Sequence, residues 1–163
     1  MIVRAPTARD YPAIAAVLRS AFVDSRSDEA AIVAGVRAEG RVVVERVAVI
    51  GEDVLGHILF SRVACDTGAL IVALGPLAVA PAWRNQGVGD TLCRQGLDLC
   101  RTQGARGAVV LGHPTYYPRF GFSAGAARSL ISPYAGRPAF MAMALVDGGL
   151  DDVRRVDYPA AFG

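Results

Sequence analysis

The sequence predicts an α/β domain built on a mixed sheet, and three observations carry that expectation. Apolar residues recur with a helical period before residue 40 and again between residues 86 and 103, whereas Val42 to Val79 is rich in Val, Ile, Leu and Phe. Two turn sequences, Gly-Glu-Asp at 51–53 and Cys-Asp-Thr-Gly at 65–68, cut that middle stretch into pieces of strand length. A strand, helix, strand order from Gly68 to Leu111 then calls for a parallel crossover. The 163 residues, 53% hydrophobic and 20% charged, suffice for one core. No linker, repeat or low-complexity tract divides them, so residues 1–163 read as one domain.

The elements follow in order. Ile2 to Ala5 is a short strand that Pro6 ends. Thr7, with Asp10 three residues on, opens a helix in which Tyr11, Ile14, Val17, Leu18, Ala21 and Phe22 share a face. A second helix is expected from Asp28 to Ala38, with acids at its start, Arg37 near its end and Gly40 just beyond. Val42–Ile50, Val54–Ala64 and Gly68–Val79 are expected as three antiparallel strands joined by tight turns. The third is almost continuously apolar, which suits a strand covered on both faces in the middle of the sheet. Gly75-Pro76 interrupts it; proline donates no ladder hydrogen bond, so a bulge or local splay is expected there. A helix from about Gln86 to Gln103 puts Val88, Leu92, Cys93, Leu97 and Cys100 on one side, and Gly104 ends it. Gly107–Leu111 reads as a short buried strand, Tyr116–Phe120 as one helical turn and Phe140–Val146 as the last strand. The stretch before that strand, rich in Gly, Ala, Ser and Pro, receives no element.

Several function classes fall away on composition. The net charge of +2 comes from 17 basic and 15 acidic residues scattered without like-sign blocks, so no nucleic-acid partner is expected. All the basic residues are arginine, a compositional bias rather than a phosphate device. Cys93 and Cys100 lie on one expected helix, roughly 10 Å apart along its axis, too far to bridge; with Cys65 they are expected as reduced thiols. His57 and His113 are isolated and no C-x-x-C occurs, so no metal is expected. No apolar run approaches the ~20 residues of a membrane span, and the amino terminus lacks a signal core; a cytoplasmic protein without a membrane partner is the simplest expectation.

The stretch PLAVAPAWRNQGVGDTL, Pro76 to Leu92, carries the first functional signal. A helix start leaves four backbone N–H groups without intrahelical partners and bears partial positive charge, which suits phosphate. Glycines at 87 and 89 let oxygens approach the main chain, and Arg84 adds a cationic fork. Close helix-to-strand packing accounts for the glycines equally well. A nucleotide P-loop needs lysine, which this chain lacks, and a dinucleotide fingerprint needs glycine at position 92, which is leucine.

Leu77-x-Val79-x-Pro81-x-x-Arg84-x-x-Gly87-x-Gly89, after a buried strand and opening a helix, resembles the acetyl-CoA motif of the GNAT superfamily of N-acetyltransferases, Arg/Gln-x-x-Gly-x-Gly/Ala. The string GHPTYYPRFGF, Gly112 to Phe122, with the Tyr-Pro-x-Ala-Phe tail at 158–162, resembles one bacterial subgroup of that superfamily. The resemblance implies a central mixed, mostly antiparallel sheet, splayed at the acetyl-CoA site and flanked by helices on both faces. It places the pyrophosphate on the turn formed by Arg84, Asn85, Gln86, Gly87, Val88 and Gly89, and the pantetheine arm along Leu77, Ala78 and Val79. Asn85 stands where glycine is common, and asparagine tolerates left-handed dihedrals better than most residues.

The reaction so implied moves an acetyl group from acetyl-CoA to a primary amine of a small molecule, peptide or protein; an idle acyl-CoA-binding sensor or interaction module is the alternative. Amides near Leu77 to Val79 would stabilise the developing oxyanion. Tyr117, four residues before Gly121-Phe122, would protonate the departing thiolate, with the adjacent Tyr116 as rival. The base is open among Glu45, Glu52, Asp53, His57, Asp66, His113 and water; His113 lies next to the splay, where capping of the strand end also accounts for it. By analogy, Ser25–Asp28 and Gly121–Arg137 border the acceptor, whose identity stays open, as does the choice of monomer or homodimer.

Overall fold

Backbone pairing places the site before any side chain is considered. In the structure, a computed structural model describing all residues Met1–Gly163, seven strands form one sheet. β1 (Ile2–Arg4), β2 (Val42–Ile50), β3 (Asp53–Cys65), β4 (Ile71–Val79), β5 (Gly107–Leu111) and β6 (Phe140–Ala144) lie side by side in chain order, and β7 (Val156–Asp157) pairs with the end of β3. Only β4 and β5 run parallel, joined by helix α3 (Val88–Thr102); every other strand pair is antiparallel. The mixed, mostly antiparallel sheet expected from the sequence is therefore present.

Helices cover both faces. α3 lies on one, where Leu92, Cys93, Leu97 and Cys100 join Ile58, Phe60 and Val72 in the largest core cluster. Gly96 permits the approach: a Cβ there would stand 2.2 Å from Phe60 Cε2. α1 (Tyr11–Ala21) and α2 (Glu29–Ala38) cover the other face through Ile14, Leu18, Val33 and Val36, packed on Val47, Leu59 and Ala78. A neighbouring cluster on that face, with Ala73, Val109 and Phe140, carries the short helix α4 (Ala124–Ala127) through Ala127.

The start of α1 behaves as its sequence suggests. Asp10 accepts from the Thr7 N–H at 2.6 Å and pairs with Arg4 at 2.7 Å, tying β1 to the helix. The Arg4 guanidinium, and then the Thr7 amide, hold the Asp10 carboxyl well below the usual carboxylate range.

Differences from expectation lie at element ends. β4 begins at Ile71 rather than Gly68, because Thr67 and Gly68 complete the β3–β4 turn, with Gly68 at φ +73°. β6 stops at Ala144, two residues early, and the chain turns through Gly148 at φ +68°. α3 begins at Val88 rather than Gln86, since Gly87 caps it at φ +82°. α4 and β7 had no sequence signal, four and two residues being too short to show a period.

Gly75-Pro76 produces the expected irregularity. Ile58 pairs with Leu77 and Phe60 with Leu74, so Leu59 alone faces both Gly75 and Pro76: a bulge in β4. The extra residue shifts the side-chain alternation. Val72 and Leu74 face α3, and after the bulge Leu77 and Val79 do so. On its other side, β4 pairs with β5 only from Ile71–Gly107 to Leu74–Val110. Beyond Leu74 the two strands no longer pair, next to the Gly75-Pro76 position where the sequence leads one to expect a splay.

Candidate active site

A row of free main-chain donors stands where the separated strand ends. The Arg84 N–H is spent on Pro81 O at 3.4 Å, but the N–H groups of Asn85, Gln86, Gly87, Val88, Gly89 and Asp90 donate to nothing within the protein. Two left-handed residues shape the turn, Asn85 at φ +59° and Gly87 at φ +82°. Asn85 is the one non-glycine residue of the chain with positive φ. Such a concave run at a helix start binds anions without help from side chains. Val88, 3% exposed, anchors it to the sheet by packing on Leu92 and the Gly56 backbone position, where a Cβ would meet Val88 Cγ1 at 2.9 Å.

The two glycines have different duties. A side chain at Gly87 would meet nothing within 4 Å, so its left-handed backbone is what requires glycine. At Gly89 a Cβ would stand 3.0 Å from the Tyr116 hydroxyl. That hydroxyl donates to Asp90 Oδ1 at 2.8 Å, and Arg119 lies over the Tyr116 ring with its guanidinium 3.7 Å from Asp90. Burial, then the bond to Asp90, raises the Tyr116 phenol above its ordinary range.

Tyr117 sits deeper. Its side chain rests on Gly112, where any Cβ would meet ring atom Cε2 at 2.4 Å, and packs edge-on against Tyr116 and Phe122. Its hydroxyl has no hydrogen-bond partner in the protein, and burial raises its pKa, so the phenol stays protonated near neutral pH.

These groups line one cleft of about 970 Å³. Of the expected cofactor contacts, Leu77, Val79, Arg84, Asn85, Gly87, Val88 and Gly89 line it; Ala78 and Gln86 do not. Ala78 points to the α1–α2 face, and the Gln86 side chain donates back to Ala82 O at 3.2 Å. Tyr116, Tyr117 and His113 line it as well, as does Trp83. The cleft continues through the splay to the other face of the sheet. There Phe22, Ser27, Glu29 and Ile32 meet Tyr134, Tyr158 and Phe162.

A model of the acetyltransferase (GNAT) family matches residues 11–122. The N-acetyltransferase YhbS of Escherichia coli (strain K12) is 35% identical over 156 residues, spanning 94% of this chain and 92% of that protein.

The chain belongs to the GNAT acetyltransferase family.

With that membership stands the expected enzyme class, an acyltransferase. Solved GNAT structures agree in fold. The Escherichia coli YhbS structure in complex with CoA has a TM-score of 0.88 at 34% identity, covering 99% of this chain and 91% of that one. A Brucella melitensis GNAT acetyltransferase in complex with acetyl-CoA has a TM-score of 0.80 at 35% identity, covering 99% and 97%.

The six candidate bases separate clearly in this GNAT chain. Glu45 and His57 form an enclosed network with Arg37: Glu45 Oε1 lies 2.8 Å from His57 Nε2, and Arg37 Nε donates to Oε2 at 3.2 Å. Burial pushes the Glu45 carboxyl up, but hydrogen bonds from His57 and Arg37 outweigh it and leave the group below its usual range. Neither residue lines the cleft. Glu52 is exposed in the β2–β3 turn, Asp53 is exposed at the start of β3, and Asp66, beyond the end of β3, accepts from the Arg154 and Arg155 amides. Only His113 of the six lines the cleft, and its carbonyl accepts from the Tyr116 N–H at 3.1 Å.

Of the stretches expected to border the acceptor, Ser25–Asp28 supplies Ser27 to the far wall and Gly121–Arg137 supplies Tyr134. Phe22, Glu29, Tyr158 and Phe162 carry no local pattern that marks them as lining, and only the fold gathers them. The Tyr158-Pro-x-Ala-Phe162 tail is legible only as a subgroup match. The three cysteines are free, Cys93 and Cys100 fully enclosed on α3. No cluster of three or more potential metal ligands forms, and no helix is long and apolar enough to cross a membrane.

Proposed function

We propose that residues 1–163 form one transferase domain that moves an acetyl group from acetyl-CoA to a primary amine. The single observation carrying this reading is the continuity of the six free amides with a strand that has lost its neighbour after Leu74. A diphosphate fits the amides, and an extended arm bearing its own amides fits beside Leu77 and Val79. The CoA and acetyl-CoA complexes of the two similar GNAT proteins support the choice of carrier.

The carrier supplies a thioester whose carbonyl carbon the amine nitrogen attacks; the C–S bond breaks, and the products are an acetamide and a free thiol. The chain's groups act around that step. Main-chain amides near Leu77–Val79 donate to the carbonyl oxygen as it gains charge. His113, or water held beside it in the cleft, takes the proton the amine must lose. Tyr117 donates to the sulfur as it departs. Tyr117 is preferred to Tyr116 because the Tyr116 hydroxyl is committed to Asp90, whereas the Tyr117 hydroxyl is free.

The test is release of free thiol from acetyl-CoA, followed with and without an amine panel, alongside calorimetry with CoA. Amine-dependent release with measurable CoA binding is expected. Binding without any release would indicate an idle acyl-CoA module; no heat with CoA at millimolar levels would remove the reading altogether.

A further inference from the structure

The wall of the cleft on the α1–α2 face has a chemistry of its own. It is assembled from three separate parts of the chain: the end of α1 and start of α2, the segment before β6, and the carboxy-terminal tail. Gly35 of α2 lets the tail dock, since a Cβ there would stand 2.7 Å from Ala161 Cβ. The docked tail presents Tyr158 and Phe162, whose rings meet edge-to-face with centroids 5.3 Å apart. Tyr134 continues the series, 5.1 Å from Tyr158 and again edge-to-face. Phe22 and Ile32 complete an apolar surround.

Within this half the lining carries one charged side chain, Glu29. It is half-buried at the first position of α2, where the helix dipole favours a carboxylate. Ser25 Oγ donates to Oε1 at 2.8 Å, and Oε2 makes no hydrogen bond in the protein. The other acid of the lining, Asp90, lies at the α3 end and is engaged by Tyr116 and Arg119. The lining arginines, Arg84 and Arg119, also belong to the α3 end, beside the free amides.

One carboxylate framed by aromatic rings recognises one cation on an apolar body. Among the residues lining this half, a second ammonium finds no second carboxylate and a carboxylate on the acceptor finds no guanidinium; Arg137 lies over the Tyr134 ring but outside the lining. Resting on the acetyltransferase reading above, we propose that the acceptor is a small monoamine on an aromatic body: Glu29 draws its ammonium into the cleft, the ring packs against Tyr134, Tyr158 and Phe162, and the same nitrogen attacks the thioester once it has given up its proton to His113 or water. On that basis polyamines, free amino acids and peptide amines are poor acceptors.

The test has two arms, so the two readings fail separately. CoA calorimetry reports on the donor alone. Binding of 2-phenylethylamine to the CoA-saturated protein, and its kcat/KM with acetyl-CoA, report on the acceptor. 2-Phenylethylamine is expected to exceed spermidine, L-phenylalanine and the dipeptide Phe-Ala in kcat/KM by at least about tenfold, because each rival brings a further charge that this half of the lining leaves unpaired. Glu29→Gln is expected to raise KM for 2-phenylethylamine roughly tenfold, with Glu29→Asp restoring part of the loss. Unchanged CoA affinity in both variants shows that they are folded. Preference for spermidine, L-phenylalanine or Phe-Ala, indifference of KM to Glu29→Gln, or no binding of 2-phenylethylamine would each overturn the assignment.

Discussion

The two walls of the cleft are made of different material. The α3 wall is main chain: successive amides, two left-handed residues and a bulged strand. The α1–α2 wall is side chain: one carboxylate and a set of aromatic rings drawn from distant segments. A backbone grip depends on dihedral angles, so its sequence requirement falls on glycine, proline and asparagine and leaves other positions free. A side-chain wall depends on what the fold brings together and carries no local pattern. This difference separates what is common to a family from what one member does with it.

Substitutions on either wall test the contrast directly. Tyr117, at the junction of the walls, is expected to give the largest effect: Tyr117→Phe should lower kcat by roughly a thousandfold, within the range of general acid catalysis, with CoA affinity unchanged. Unaltered turnover would remove the phenol from the chemistry. Gly87→Trp should come next, weakening CoA binding by more than about a hundredfold by calorimetry, because losing two charge-assisted hydrogen bonds of roughly 1.5 kcal/mol each is enough. Arg84→Ala should cost less, about tenfold, since the guanidinium is an addition to a main-chain site. If Arg84→Ala proved worse than Gly87→Trp, the grip would be a side-chain one after all.

The smallest effect concerns neither wall. Glu45 has a folded-state pKa below its unfolded value, so the stability it contributes is present above the unfolded carboxyl value of about 4.3 and is lost as pH falls through the folded one. Glu45→Gln should therefore flatten the fall of Tm on going from pH 6 to pH 3, leaving CoA affinity at pH 7 untouched. An equally steep acid limb in the variant would assign that loss to other carboxylates, Asp10 first among them.

Legibility from the sequence followed the same division. Glycine, proline and asparagine announce backbone geometry directly, so the bulge at Gly75-Pro76, the turn at 84–89 and the left-handed tolerance of Asn85 could all be read before the fold was known. The long strands were legible because their composition is uniform over nine residues or more. The tyrosine pair was legible only as a pair. Distinguishing Tyr116 from Tyr117 needed Asp90, 26 positions away from Tyr116 in the chain. Glu29 looks like an ordinary first-turn acid, and that it shares a cleft with Tyr158 depends on how the tail crosses α2 at Gly35. Glu45 and His57 looked like free candidates because nothing local records that Arg37 and α1–α2 enclose them.

The gap between β4 and β5 passes from one face of the sheet to the other, so two ligands can enter from opposite sides and lie end to end. Neither has to leave before the other arrives. The thiols on α3 are enclosed, and burial pushes both Cys93 and Cys100 up to about 12, so they supply no ready nucleophile for a covalent relay. Steady-state kinetics in such a passage are expected to take the sequential, ternary-complex form, with intersecting double-reciprocal plots, and parallel lines would point to ping-pong instead.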